Sequence, residues 1–149
     1  MTLARQLRAL DACAEAIAWV GDRDLPTAWA ECQRGDWLLW LAGRLCQPGD
    51  EQHRALVRAA CAIVRTVLHR VPAGEDRPRL AIEAAEAWAE EPTPDRATAS
   101  DAANDAASDA ASDAAWAAAS DAARAAARAA HADIVRRLVP MPVMEGGAS

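Results

Sequence analysis

At 149 residues the chain is most simply one domain. Its formal charge of −6 argues against free nucleic acid as a ligand, because phosphate binding needs clustered basic side chains. An acidic protein more readily meets a basic protein. Six Trp stand without any Tyr or Phe, and alanine dominates the hydrophobic residues. The core is therefore expected to come from the Leu, Val, Ile and Trp of residues 1–90.

At the N-terminus, Asp11 and Glu15 interrupt the apolar pattern before a signal-peptide core can form. No run approaches the ~20 apolar residues of a membrane span. Cys13, Cys32, Cys46 and Cys61 are unevenly spaced and contain no CxxC. They read as reduced, mostly buried thiols of a cytoplasmic protein.

The first helix is expected over Thr2–Val20, where Leu3, Leu7, Leu10, Ala14, Ile17 and Ala18 follow helical spacing, and Gly21 closes it. A short helix follows over Pro26–Arg34. Gly35-Asp36 then breaks the chain and caps a third helix, Trp37–Leu45, ended by Pro48-Gly49. The fourth helix, Glu51–His69, turns Leu56, Ala60, Val64, Val67 and Leu68 inward. After the Pro72–Gly74 turn, Asp76–Glu90 is the fifth, with Leu80, Ile82, Ala85 and Trp88 as its apolar members.

The sixth element is a run of alanine from Arg96 to Ala132, free of Gly and Pro, that predicts one long helix over 94–139. Thr93 is its N-cap, Pro94 its first residue and Asp95 part of its first turn. Pro140 marks the exit, after Arg136 and Arg137 at the negative end of the helix dipole. Straight, such a helix is about 69 Å long, whereas a domain of this size is only about 40 Å across. The helix must bend or project. Residues 140–149 read as a loose tail.

The architecture is therefore all-α: about six helices bundled over 1–139, the last long and alanine-rich. Within it Asp101, Asp105, Asp109, Asp113 and Asp121 recur at multiples of four residues. Each step of four rotates the side chain by about 40°, so the acids form an oblique ridge. Like charges at i, i+4 repel by roughly 0.2–0.5 kcal/mol per pair. Arginines of neighbouring helices or a basic partner would offset this; a solvated face is the bland alternative. Trp116 is the one large side chain in the middle of the run, and fills a hole between helices or marks a contact surface.

Catalytic patterns are lacking. His53, His69 and His131 have no neighbour at metal-ligand spacing, so neither a metal nor a cofactor is expected. No Gly-rich phosphate loop or Gly-x-Ser-x-Gly elbow occurs. Glu83, Glu86 and Glu90 sit at helical spacing, but paired surface glutamates without a cleft are not an acid–base pair. The expected function is not enzymatic. Trp37, Trp40 and Leu41 share a face as core anchors, with one Trp available as a binding hot spot.

The segments GDWLLWLAGRL (35–45), VLHRVPAGEDRPRLAIEAAEAWAEE (67–91), the alanine helix and ADIVRRLVPMP (132–142) occur in order along nearly the whole chain. Together they resemble a family of immunity proteins from bacterial polymorphic-toxin loci, the immunity-protein-five-like group. The resemblance implies a cytoplasmic antidote that binds a cognate toxin domain stoichiometrically and blocks its active site or an exosite. It supplies no catalytic residues. Asp and Ser fill the repeat here, where family members often carry Tyr, and Trp116 is its one aromatic residue.

A basic toxin would suit the acids Asp101, Asp105, Asp109 and Asp113, with Trp116 beside them. Two competing readings are a mobile-element inhibitor that mimics nucleic acid with its carboxylates, and a structural module that self-associates through its alanine face. A hydrolase is the last alternative; it requires a cleft containing His69 and nearby carboxylates.

Overall fold

The computed structural model describes residues 1–97 and 121–144. Among these, all regular structure is helical: α1 (Leu3–Ala9), α2 (Ala14–Val20), α3 (Leu25–Glu31), α4 (Gly35–Leu45), α5 (Glu51–Arg65), a 3-10 turn (Leu68–Arg70), α6 (Arg77–Glu90) and α7 (Asp121–Leu138). The fold class is all-α. Residues 94–97 form a further helical turn, begun as its sequence predicts: the Arg96 amide donates to Thr93 Oγ1 (3.3 Å) and the Ala97 amide to the Thr93 carbonyl (2.8 Å). Whether one helix joins this turn to α7 lies outside the described residues.

The expected first helix is two helices. Asp11 adopts φ 62°, a left-handed conformation that ends α1. The Ala12 amide reaches back to the Leu7 carbonyl (3.0 Å) and the Asp11 amide to Arg8 (3.1 Å). This is a Schellman closure made with aspartate, a residue whose short polar side chain tolerates that region. Ala12 then packs against the core together with Leu7.

Helix α5 stops earlier than expected. Its last turn tightens as the Thr66 hydroxyl donates to the Ile63 carbonyl (2.6 Å), and the Thr66 and Val67 amides bond three residues back. Its most buried residues are Ala55, Ala59 and Cys61, and Ala60 is exposed, while the expected Leu56, Val64 and Leu68 are partly buried against the apolar clusters. In α6, Ile82, Ala85 and Trp88 are buried as expected, but Leu80 is 52% exposed.

The core is not confined to residues 1–90. Val135 and Val139 of the C-terminal segment are among the most completely buried large side chains, and Ala132 joins them in the main apolar cluster. That cluster gathers Leu3 and Leu7 of α1, Val20 of α2, Ala28 and Trp29 of α3, and Leu38 and Leu41 of α4. A second cluster joins α5 and α6 through Cys61, Ile82 and Ala85. Alanine carries more of the packing than its size suggests. Ala42, Ala59, Ala89 and Ala132, one on each of α4 to α7, are 0% exposed. Small side chains at crossings bring helix axes close together.

A close approach is made at Gly35, which belongs to the first turn of α4 and does not precede it. A Cβ built there would stand 2.6 Å from His131 Cβ and 2.8 Å from the Ala132 nitrogen. Only glycine lets α7 lie this close to the start of α4. Beyond α7, residues 140–144, expected as a loose tail, return to the bundle. Pro142 is fully buried, Met144 packs on the main cluster, and Gln52 donates to the Pro140 carbonyl (3.0 Å).

Helix C-termini leave carbonyls without partners in their own helix, and here arginines supply them. Arg44 donates to Leu10 at the end of α1 (3.0 Å), and Arg23 to Trp19 near the end of α2 (2.6 Å). Arg136 of α7 donates to Cys32 (2.7 Å) and Trp29 (3.2 Å) at the end of α3. At the end of α6, Ala89 receives Arg54 (2.6 Å) and Arg58 (3.1 Å), while Glu91 receives Arg96 (3.4 Å).

Two glycines of α4 test the crossing. Gly35→Ala is expected to destabilise the fold by about 1–3 kcal/mol, since the displaced atoms are largely backbone. At Gly43 a Cβ would meet Leu56 Cδ2 at an ordinary 3.4 Å. Gly43→Ala is therefore expected to be neutral or to stabilise by about 0.5–1 kcal/mol. Urea unfolding of the two variants beside the parent measures both.

Candidate functional site

The left-handed Asp11 separates α1 from α2, and α3 and α4 follow them in the chain. Between the four lies a half-open cavity of about 470 Å³. Leu3, Leu7, Val20, Leu38 and Leu41 form its apolar floor. Trp19, Trp37 and Trp40, each half-buried, form the walls, with Trp19 and Trp37 ring centroids 6.0 Å apart and tilted by 59°. The shared face expected of Trp37, Trp40 and Leu41 is real: Leu41 is buried in the main apolar cluster, and the two half-buried tryptophans pack against it while also lining the cleft.

Each wall carries an arginine. The Arg34 guanidinium lies 4.4 Å from the Trp37 ring, Arg23 4.7 Å from Trp19, and Arg44 5.8 Å from Trp40. Arg34 also grips Asp36 with two bonds (2.9 and 2.6 Å) and approaches Glu15 (3.4 Å). This pairing holds the Asp36 carboxyl below its ordinary range. Arg23 pairs with Glu31 (3.0 Å) and Arg44 approaches Asp11 (3.8 Å). The exposed Cys13 completes the rim. The four cysteines are free; burial pushes the Cys61 thiol up to about 11 and raises Cys32 as well.

The sequence offered a signal for this arrangement that periodicity alone passes over. Trp19/Arg23 and Trp40/Arg44 are i, i+4 pairs, and Arg34/Trp37 is i, i+3. Of these only Trp40/Arg44 lies within one helix, where the spacing places the guanidinium beside the ring; Arg23 sits in the turn after α2, and Arg34 caps α4 in an extended conformation.

The residues singled out for partner binding, Asp101, Asp105, Asp109, Asp113 and Trp116, lie outside the described residues. The glutamates of α6 are drawn apart into separate ion pairs: Glu83 with Arg79 (2.7 Å), Glu86 with Arg65 (2.7 Å) and Glu90 with Arg58 (3.1 Å). Their pairing gives each a structural partner across or along a helix. His53 Nδ1 accepts the Gly49 amide (2.9 Å), and its ring stands edge-on to Trp88 at 4.9 Å. His69 is exposed on the 3-10 turn, away from the tryptophan-walled cavity. Among the described residues no three His, Cys, Asp or Glu side chains stand close enough to hold a metal.

His131 is half-buried where α7 meets Gly35, and burial lowers its pKa below the ordinary 6.5, against a smaller opposing effect of the Asp36 charge. A base depressed in the folded state binds fewer protons there than in the unfolded chain. Its contribution to stability is therefore full above pH 6.5 and is lost as the pH falls from 6.5 through the lowered folded value. The urea midpoint is expected to drop between pH 7.5 and pH 5, and His131→Gln is expected to flatten that slope.

Among the described residues no helix is long and apolar enough to cross a membrane. No protein-family model, curated protein or solved structure matches the chain.

Proposed function

We propose that the protein is a non-catalytic antidote of the immunity-protein class, which neutralises a basic toxin domain by stoichiometric binding. The observation that carries this reading is how the three described segments of the resemblance sit in the bundle. Residues 35–45 form α4, 67–91 include α6, and 132–142 form the buried end of α7 and the segment just after it. These are scaffold elements: α7 packs on α4 and α5, and α6 on α5. The acidic run between residue 97 and α7 is tied to this scaffold at both ends. The Thr93 cap and Arg96 anchor the turn before it, and Ala132, Val135 and Val139 anchor the helix beyond it.

In this reading the carboxylates of Asp101, Asp105, Asp109 and Asp113, with Trp116, form the contact face. The partner's basic side chains offset the repulsion within the acid series. Surface complementarity of that kind chiefly raises the association rate, and it weakens with salt.

A pull-down with the tagged chain from its native host, at low and at high salt, identifies the partner. The expected outcome is one stoichiometric basic protein, released by salt, whose toxicity on expression is suppressed by co-expressing this chain. Asp105→Lys with Asp109→Lys is expected to weaken that complex by roughly tenfold or more, mainly through slower association. Unchanged binding by the double variant would remove the acids from the interface. A blank pull-down with concentration-dependent oligomers would instead favour a self-associating structural module.

A further inference from the structure

We infer that the tryptophan-walled cavity bounded by α1 to α4 is a binding site for one compact, uncharged, apolar or aromatic small molecule. The proposal goes beyond the antidote reading.

Size is the first argument. This cavity measures about 470 Å³ and opens directly from the main apolar cluster. That lies within the range of roughly 300–1,000 Å³ typical of small-molecule sites. It is also about three times the ~150 Å³ apolar cavity that takes up benzene. A ligand larger than a single benzene ring therefore fits.

Charge is the second argument, and it decides the chemical class. The floor is hydrocarbon, and no buried side-chain nitrogen or oxygen among the described residues lacks a hydrogen-bond partner. Nothing within is poised to pair with a ligand's charge, so burying one there is costly. At the rim, Arg34 is committed to Asp36 and Glu15, and Asp11 is approached by Arg44. The aromatic walls do not make a cation cage either, because Arg23, Arg34 and Arg44 already stack on the three rings. The surface left unsatisfied is apolar and aromatic, which matches an uncharged ring system.

The structure also provides two reporters. The tryptophans of the wall are donors for energy transfer to a bound fluorophore, and the exposed Cys13 thiol stands at the rim. Cys46, partly exposed and outside the cavity lining, serves as an internal control. The experiment titrates the full chain with N-phenyl-1-naphthylamine, a neutral aromatic probe. It follows tryptophan-to-probe energy transfer, and iodoacetamide labelling of each cysteine is read by mass spectrometry. The expected result is saturable binding of one probe per chain, with Cys13 labelling slowed and Cys46 labelling unchanged. Ala16→Leu, which adds bulk to a residue lining the cavity, is expected to weaken binding about tenfold or more while the helical signal is retained. Absence of saturable binding, or binding that leaves Cys13 labelling unaltered, would overturn the assignment. So would equal affinity in a folded Ala16→Leu variant. The Cys13 measurement uses the parent chain and holds even where that variant does not fold.

Discussion

The close crossing of α7 over the first turn of α4 governs this molecule. At Gly35 no side chain separates the two helices, and the next residues of α7 sink into the core. Ala132 and Val135 are 0% exposed and Val139 is 1% exposed. One turn and more upstream, Arg124 through Arg128 are exposed all round. A single helix thus changes from a solvated limb into the central pillar of the bundle at about His131. Two Val side chains buried from water contribute about 1.5–3 kcal/mol each, a large share of the marginal stability usual for a domain.

Arginine makes that arrangement tolerable at the helix ends. The chain has sixteen arginines and no lysine, and several arginines span from one helix to the terminus of another. Arg136 joins α7 to the end of α3, and Arg54 and Arg58 join α5 to the end of α6. Exposed ion pairs contribute only about 0–1 kcal/mol each, so their carboxylate partners matter less than the carbonyls, which otherwise lack donors from their own helix. The planar, forked guanidinium suits this double use, and lysine offers no equivalent geometry. At the cavity rim the same side chains also stack on Trp19, Trp37 and Trp40.

Much of the local structure was legible in the sequence, because helix punctuation is local. The Thr93-Pro94 start and the Arg136-Arg137 end of α7 follow from side-chain chemistry within one turn. The split between α1 and α2 was hidden because an aspartate, not a glycine, takes the left-handed position. Gly35 looked like a helix breaker; its purpose is a contact with a helix almost a hundred residues further on, which no local pattern encodes. Discounting alanine misplaced the core for the same reason: an alanine's worth depends on what crosses it. The tail residue Pro142 is likewise buried by a return path that composition does not reveal. The cavity was legible only in part, through the Trp40/Arg44 spacing on α4, since its lining is gathered from four helices and the turns between them.

Amide hydrogen exchange across α7 bears most directly on the claim that one crossing organises the fold. Slow exchange requires opening of the cooperative core, whereas solvated limbs exchange through local fraying. The account predicts a sharp boundary near His131, with residues 132–138 exchanging as slowly as the most protected amides of α4, and residues 124–128 exchanging far faster. Uniform protection along α7, or exchange at 132–138 as fast as at 124–128, would contradict it.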